Sequence, residues 1–207
     1  WAGISVSAVA DGQKNVSISA SDSASNSGSG FASMTVDNSA PTDLVVTDDG
    51  VYTNSLTELH AAWTAADAQS GLAAYAYTIG TTPGGTDIKA KTAVGTAVEI
   101  TAAGLVLVEG SVYYFTVFAA NGAGIEIAAS SDGIISDAAN PSAPTELRDD
   151  GDFTNNPTQL RAVWTASSDS GSGIDHYLLA VGTTTGGEEA LAYTNVGSVT
   201  DYTKTGL

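Results

Sequence analysis

Few residues of this chain could carry acid–base or nucleophilic chemistry. There are two histidines, His60 and His176, and no cysteine, which excludes disulfides, thiol nucleophiles and thiolate metal sites. Both histidines lie at positions predicted to face outward, in segments where polar and apolar residues alternate. A second segment of similar sequence has Arg161 at the position that corresponds to His60. Serine and threonine are abundant, but no Gly-x-Ser-x-Gly nucleophile elbow is present. The sequence therefore predicts no catalytic residue and a protein that is not an enzyme.

The glycine-rich stretch 80–85 could suggest phosphate binding. It lacks the following lysine and helix of a phosphate loop. The sequence therefore predicts a turn between neighbouring strands.

Calcium is the more serious possibility, because it prefers several oxygen ligands. Aspartates recur at and near two proline-containing linkers, and the candidate ligands are Asp37, Asp48, Asp49, Asp67, Asp137, Asp149, Asp150 and Asp169. Asp-Asp-Gly also favours a simple turn, because the Asp side chain bonds nearby N–H groups and Gly takes a positive φ. No Asp-x-Asp-x-Asp-Gly loop is present. Calcium and turn formation both remain open, and any bound ion is expected at a domain junction.

Composition excludes several partners. The formal net charge is −17 and charged residues make up 14% of the chain, so its surface would repel nucleic acid and anionic lipid. No apolar run is long enough to span a membrane, so no membrane insertion is expected. The chain begins at Trp1 rather than Met, which suggests an internal or processed segment.

The chain contains an internal repeat. Residues 48–54 recur as 149–155, and residues 80–85 recur as 182–187. A partial third copy precedes them, because residues 37–42 resemble residues 139–145. Residues 37–42 and residues 139–145 each contain proline and are interpreted as linkers.

Hydrophobic residues between the linkers alternate with a period of two. The predicted inward residues are Leu59, Ala61, Trp63, Tyr75, Tyr77, Ile79, Tyr113, Phe115, Val117, Ala119, Tyr177, Leu179 and Val181. Such runs are typical of half-buried antiparallel strands, and about seven of them in roughly 100 residues indicate a β-sandwich. Four aromatic residues are thus predicted to pack in the core rather than to form a sugar-stacking platform: Trp63, Trp164, Tyr75 and Tyr177. Tyr114 and Phe118 take the opposite phase and are the better candidates for a surface contact.

Residues 113–124 resemble the penultimate strand and turn of fibronectin type III domains. Trp63 and Trp164 stand where that family has its second-strand tryptophan, and Leu105 with Tyr113 is similar to its leucine and tyrosine pair. Residues 16–26 look more like bacterial immunoglobulin-like repeats of giant adhesins. The resemblance implies an all-β fold of tandem antiparallel β-sandwiches, one complete and two partial. The expected division is 1–39, the last strands of a preceding sandwich; 40–142, a complete domain; and 143–207, the first strands of a following sandwich.

These observations predict a structural or adhesive repeat segment of an extracellular stalk, filament or surface protein. Two alternatives remain open: a spacer or accessory module of a secreted polysaccharide-degrading enzyme, and a module that binds a glycan or protein on a surface. The expected location is extracellular or at the cell surface.

The ends of the chain suggest how copies associate. Val16 and Ile18 align with Phe115 and Val117, so residues 16–37 match the last strands of a repeat. Residues 206–207 match 104–105, just before those strands. We therefore expect head-to-tail partners, either separate copies that complete each other by strand addition or adjacent repeats of one long chain.

Overall fold

The computed structural model describes residues 9–156 and 158–206, and every regular element in them is a β-strand. The strands are β1 (Gly12–Ser21), β2 (Ser27–Val36), β3 (Thr42–Asp48), β4 (Tyr52–Thr53), β5 (Glu58–Ala66), β6 (Leu72–Gly80), β7 (Lys89–Gly95), β8 (Glu99–Ala103), β9 (Val112–Asn121), β10 (Glu126–Ser130), β11 (Ile134–Ser136), β12 (Thr145–Arg148), β13 (Gln159–Thr165), β14 (Leu178–Val181), β15 (Leu191–Asn195) and β16 (Asp201–Thr205). The predicted all-β class is confirmed. Trp1 and Leu207, used in the sequence argument, lie outside the described residues. Nowhere in the described ranges is there a helix of the length and apolarity needed to cross a membrane.

The chain divides into two compact units, unit 1 ending at Ser136 and unit 2 beginning at Asp137. Asp137 belongs to unit 2, where its carboxylate accepts a hydrogen bond from the Ser172 N–H. The predicted three-part division with boundaries at 39 and 142 stays a prediction.

Unit 1 contains a β-sandwich and a two-stranded ribbon. One sheet has the order β3-β5-β8, and the other has the order β4-β11-β9-β6-β7, with β10 also paired to β9. All pairs are antiparallel except β4 with β11. Strands β1 and β2 form the ribbon and pair only with each other among the described strands.

The core of unit 1 consists of the side chains that the alternation predicted to face inward. Leu59, Ala61 and Trp63 of β5 are buried, as are the inward residues of β6 and β9. The Trp63 and Tyr75 rings lie 5.9 Å apart in a tilted arrangement. These aromatic residues fill the core, as predicted, because the β-sheet pleat directs alternate side chains to one face.

The corner before β9 is fixed by Tyr113. This side chain is buried, and its hydroxyl accepts a hydrogen bond of 2.7 Å from the Val108 N–H. The bond holds the preceding loop against the strand, as the tyrosine corner of β-sandwich domains does.

The glycine-rich stretch forms the predicted turn. Gly85 N donates to Thr82 O at 2.8 Å, between the end of β6 and the start of β7. A Cβ added to Gly80 would lie 2.5 Å from the Gly85 backbone, so the close approach of two backbone segments requires glycine here.

Unit 2 repeats two parts of the unit 1 strand pairing, the β3-β5-β8 sheet and the β6-β7 pair. Its sheets are β12-β13-β16 and β14-β15. Leu179 pairs with Thr194 as Tyr77 pairs with Thr92. Trp164 is buried and lies 5.3 Å from the Tyr177 ring, which confirms the predicted equivalence of the two tryptophans.

The core of unit 2 is less covered than that of unit 1. Leu160 is 39% exposed, whereas its counterpart Leu59 is 3% exposed. The same strand pattern therefore leads to different burial in the two units.

Candidate functional site

The most densely bonded polar group of unit 1 is centred on Asn121, at the end of β9. Its side chain is buried, and the amide nitrogen Nδ2 donates to Asp37 Oδ2 at 2.9 Å, Ser39 O at 2.9 Å and Asp67 Oδ2 at 3.1 Å. The three acceptors come from the segment before β3 and from the loop between β5 and β6. We call Asp37, Ser39, Asp67 and Asn121 the junction cluster.

The turn after β9 orients the amide of Asn121. Asn121 Oδ1 accepts hydrogen bonds from Ala123 N at 3.1 Å and Ile125 N at 2.9 Å. Because the oxygen is held by the turn, the nitrogen must point toward the two carboxylates. An Asx turn of this kind is a local property of the sequence, and it aims the side chain at residues far away along the chain.

Asp67 is held by its own loop. Its Oδ1 accepts from the N–H groups of Gln69, Ser70 and Gly71 at 3.2, 2.9 and 2.8 Å. Partial burial opposes the charge, but the Asn121 amide and these N–H groups together outweigh it and keep the pKa of the Asp67 carboxyl below its usual value. Asp67 is therefore an anionic acceptor at neutral pH.

The carboxylate of Asp11 also binds the segment before β3. Asp11 Oδ1 accepts from Asn38 N at 2.8 Å, and Asp11 Oδ2 accepts from the Ser39 hydroxyl. The Ser39 hydroxyl is the largest cause, followed by the Asn38 N–H, of a lowered pKa at Asp11. Residues 37–39 thus bond to both Asp11 and Asn121.

The junction cluster brings together two of the eight aspartates predicted as calcium ligands. Within the described parts of the chain, no group of three or more His, Cys, Asp or Glu side chains could hold a metal ion. Two carboxylates and one carbonyl nevertheless surround a single nitrogen, and oxygen atoms of these types are calcium ligands. The calcium site stays a prediction.

The other six candidate aspartates lie outside the junction cluster, and two of them, Asp137 and Asp169, bind one loop of unit 2 at residues 171–173. Asp48 and Asp149 accept hydrogen bonds from the N–H two residues later, which is the turn alternative. Asp169 does the same, and Asp137 bonds Ser172 N in the same unit. The last two candidates pair with basic side chains, Asp49 with His60 and Asp150 with Arg161.

Sequence reasoning missed Asn121 and Asp11 as organising residues. A signal was present, because the aligned ribbon has Asp22 at the position of Asn121, so both hairpins carry an Asx residue after the first strand. What could not be seen was that the amide reaches Asp37 and Asp67, which depends on the packing of three distant segments.

The histidines form simple pairs. His60 Nδ1 lies 2.7 Å from Asp49 Oδ1, and His176 Nδ1 lies 2.6 Å from Asp175 Oδ2. In the described residues neither imidazole is hydrogen-bonded to a serine or threonine hydroxyl, so neither forms the nucleophile and base pair of covalent catalysis.

The predicted surface aromatic Phe118 is covered by a cation. Lys91 Nζ lies 3.8 Å from the centroid of the ring and also 2.6 Å from Glu126 Oε1. Tyr114 packs beside Gly133, where an added Cβ would meet the ring at 2.6 Å. A surface contact through these two aromatics stays a prediction.

No protein-family model and no curated protein sequence matches the chain. Among solved structures, the chain is similar to the FN1–FN3 domains of chicken CNTN1, at 14% identity and a TM-score of 0.45, covering 93% of this chain and 67% of that one. It is also similar to a tetra-tandem repeat in the extending region of a large adhesion protein, at 23% identity and a TM-score of 0.36, covering 100% of this chain. The chain spans about half, 51%, of that second structure. Fibronectin domains and adhesion-protein repeats, the two kinds of protein that the sequence resembles, are thus both among its structural neighbours. Neither similarity assigns an activity, a ligand or a partner to this chain.

Proposed function

We propose that this chain is a non-catalytic structural or adhesive repeat segment of an extracellular stalk, filament or surface protein. The observation that carries the proposal is the way residues 37–39 are held. A segment that connects repeated modules is ordinarily exposed and weakly bonded. Here both Asp11 and Asn121 bind it, which suits a repeat that must keep its orientation under load.

The pattern of repetition between the units supports the same function. Trp63 and Trp164, which recur, are buried, and the recurring glycine stretches form turns. The position of His60 instead holds Arg161 in unit 2, and both side chains are partly exposed. The recurring residues are those that build the sandwich, as a structural repeat requires.

Calcium binding at the junction cluster is part of the proposal. What supports it is that Asp37 Oδ2, Ser39 O and Asp67 Oδ2 all lie within 3.1 Å of Asn121 Nδ2. A cation bound among these oxygens would displace the Asn121 amide nitrogen and balance the charge of the two carboxylates.

The location is tested by labelling. Antibodies raised against the full chain should label intact source cells before permeabilisation, while antibodies against a cytosolic enzyme should not. Labelling that needs permeabilisation would contradict the proposal.

A second experiment tests the proposal that the chain is not catalytic. The full chain is incubated with soluble polysaccharides and new reducing ends are measured. Any turnover above that of a heat-denatured sample would overturn this part of the proposal.

A further inference from the structure

The sequence around Asn121 contains a reactive pair of residues. Of the nine asparagines in the chain, Asn121 is the one that is followed by glycine. Asparagine is a thermolabile residue, because the backbone nitrogen of the next residue can attack the side-chain carbonyl carbon, Cγ. A side chain on that next residue hinders the attack, and glycine has none. The pair Asn121–Gly122 is therefore the position in this chain where the attack is least hindered.

The reaction needs only water besides the chain itself. The Gly122 nitrogen forms a bond to Asn121 Cγ while the bond from Cγ to Nδ2 breaks, and the Nδ2 group leaves as ammonia after taking the proton of the Gly122 N–H. Water then opens the cyclic imide that results. Cleavage between the ring nitrogen and Cγ gives aspartate. Cleavage between the ring nitrogen and the main-chain carbonyl carbon gives isoaspartate, in which the main chain runs through the former side chain.

The fold engages both reacting groups in other bonds. Gly122 N donates to Gly71 O at 3.0 Å, and this bond is lost when the nitrogen gives up its proton. The Asn121 oxygen is held by the turn after β9, and its nitrogen by the junction cluster, as described above. Departure of that nitrogen as ammonia breaks every hydrogen bond that it donates. The closed fold therefore opposes the reaction at both the attacking and the leaving nitrogen.

Packing requires glycine at position 122. A Cβ added to Gly122 would lie 2.8 Å from Ser70 O and 3.1 Å from Ser70 Cβ. Ser70 belongs to the loop between β5 and β6, whose N–H groups also hold Asp67. Gly122 thus allows the end of β9 to approach this loop closely. The contact that builds the junction cluster therefore also keeps the least hindered neighbour beside Asn121.

Neither product fits the closed cluster. An aspartate in place of Asn121 has no proton to donate at neutral pH, and it would face the Oδ2 atoms of Asp37 and Asp67, which lie 2.9 and 3.1 Å from the present nitrogen. An isoaspartate lengthens the main chain within the turn in which Asn121 N donates to Ile125 O at 3.0 Å. Either product therefore weakens the closed state.

We propose that Asn121–Gly122 is a self-modification site, which the junction cluster keeps unreactive while it is closed and which reacts irreversibly when this end of unit 1 opens. Local opening of a folded domain is less costly than its complete unfolding, so the site can react in a chain that is otherwise folded. The inference goes beyond the proposed function, because it requires no partner, no ion and no surface location. In a repeat that carries load, a long-lived opening would leave a permanent change at this residue.

Mass spectrometry of the full chain tests the proposal. Samples are kept at mildly alkaline pH in native buffer or in guanidinium chloride, and deamidation is then measured at each asparagine after digestion. In denaturant, Asn121 should be modified faster than Asn26, which is followed by serine. In native buffer the rate at Asn121 should be about 100-fold lower than in denaturant, because two hydrogen bonds to carboxylates each lower the open population about tenfold. Equal rates at Asn121 in the two conditions, or a rate in denaturant no higher than that of Asn26, would overturn the proposal.

Two variants distinguish opening of the cluster from unfolding of the whole unit. Asp37→Ala removes one carboxylate that binds the Asn121 amide, so the rate at Asn121 in native buffer should rise about tenfold. Asp87→Ala is the matched control, because Asp87 also accepts from a backbone N–H and a hydroxyl, those of Thr81, but beside the opposite end of β6. It should leave the rate at Asn121 unchanged. Equal increases in the two variants, or no increase in Asp37→Ala, would refute protection by the junction cluster.

Urea unfolding tests whether the change is irreversible in its effect. Chains modified in denaturant are returned to native buffer and compared with chains held in denaturant for the same time at mildly acidic pH, where the Gly122 N–H keeps its proton. The modified chains should unfold at a lower urea concentration. Equal midpoints would show that the modified cluster closes as before, and the proposal would then be wrong.

Discussion

Replacing Asn121 by Ala should destabilise unit 1 by about 3 kcal/mol. The substitution removes the amide NH2, whose two hydrogens are shared among three acceptors, two of them carboxylates, and it removes the oxygen that accepts two hydrogen bonds. A hydrogen bond to a charged group contributes about 1.5–3 kcal/mol, and the half-buried Asp37 and Asp67 regain some hydration when the amide is absent. The net loss is therefore smaller than the sum of the bonds. For a unit of this size it corresponds to a fall in Tm of about 10 °C.

Asn121→Asp removes the NH2 donor of the side chain but keeps an oxygen that can accept hydrogen bonds in the turn. The new carboxylate can still accept from Ala123 N and Ile125 N, but it faces Asp37 and Asp67 without a proton to donate. Repulsion raises the folded-state pKa of such a group, so the destabilisation is complete above that pKa and disappears as the pH falls and the group becomes protonated. At neutral pH this variant should be less stable than Asn121→Ala, and lowering the pH toward 5 should reduce its deficit relative to wild type.

Urea unfolding of the full chain, followed by tryptophan fluorescence, measures both effects. The matched control is Asn26→Ala, because Asn26 Nδ2 also donates to a carboxylate, that of Asp22 at 2.9 Å, in an exposed turn. We expect the control to change the free energy of unfolding by less than about 0.5 kcal/mol. If Asn121→Ala costs no more than Asn26→Ala, the junction cluster does not stabilise the fold and the reasoning is refuted.

Three other sites give further predictions. Trp63→Ala should cost roughly 3–5 kcal/mol in urea unfolding by leaving a large cavity, and an unchanged midpoint would contradict the strand register. Gly80→Ala should cost about 1–3 kcal/mol because its Cβ would meet the Gly85 backbone at 2.5 Å, whereas Gly28→Ala, with nothing within 4 Å, should leave Tm nearly unchanged. Because the pKa of the Asp67 carboxyl is lower in the folded state, its ionisation stabilises the fold above the unfolded-state pKa of about 3.9. This stabilisation is lost as the pH falls through the folded-state pKa, so Asp67→Asn should flatten the acid limb of a plot of Tm against pH. Calcium should raise the Tm of wild type and not of Asp67→Asn; equal shifts would place the ion elsewhere.

Much of the fold could be predicted because it depends on local pattern. In β5, β6 and β9 a side chain's face follows from whether its position is odd or even, so alternation alone indicated which residues are buried. Turn chemistry is equally local: Asp48 and Asp149 bond an N–H two residues away, and the sequence showed both turns. The aspartates whose partners lie nearby in sequence were therefore the ones that sequence reasoning could interpret.

The junction cluster depended on tertiary structure. Asn121 meets Asp37 and Asp67 only because β9 packs beside β6 and the segment before β3 passes the end of that sheet. Nothing in the spacing of these residues indicates the distances between them. For the same reason, the sequence did not show which of the eight aspartates come together: Asp37 and Asp67 at Asn121, and Asp137 and Asp169 on one loop of unit 2.

The sequence by itself determined the repeat, the strand phases, the turns and the acidic surface of this protein, because each depends on residue types and on neighbours along the chain. Tertiary structure alone decided how far each core position is covered. Leu59 and Leu160 occupy matching positions in matching strands, yet one is buried and the other is 39% exposed. Burial depends on whether a strand lies across the residue, and Leu59 has β9 packed against its strand. A residue's own sequence can specify its face in a sheet, but only the packing of other segments can remove that face from water.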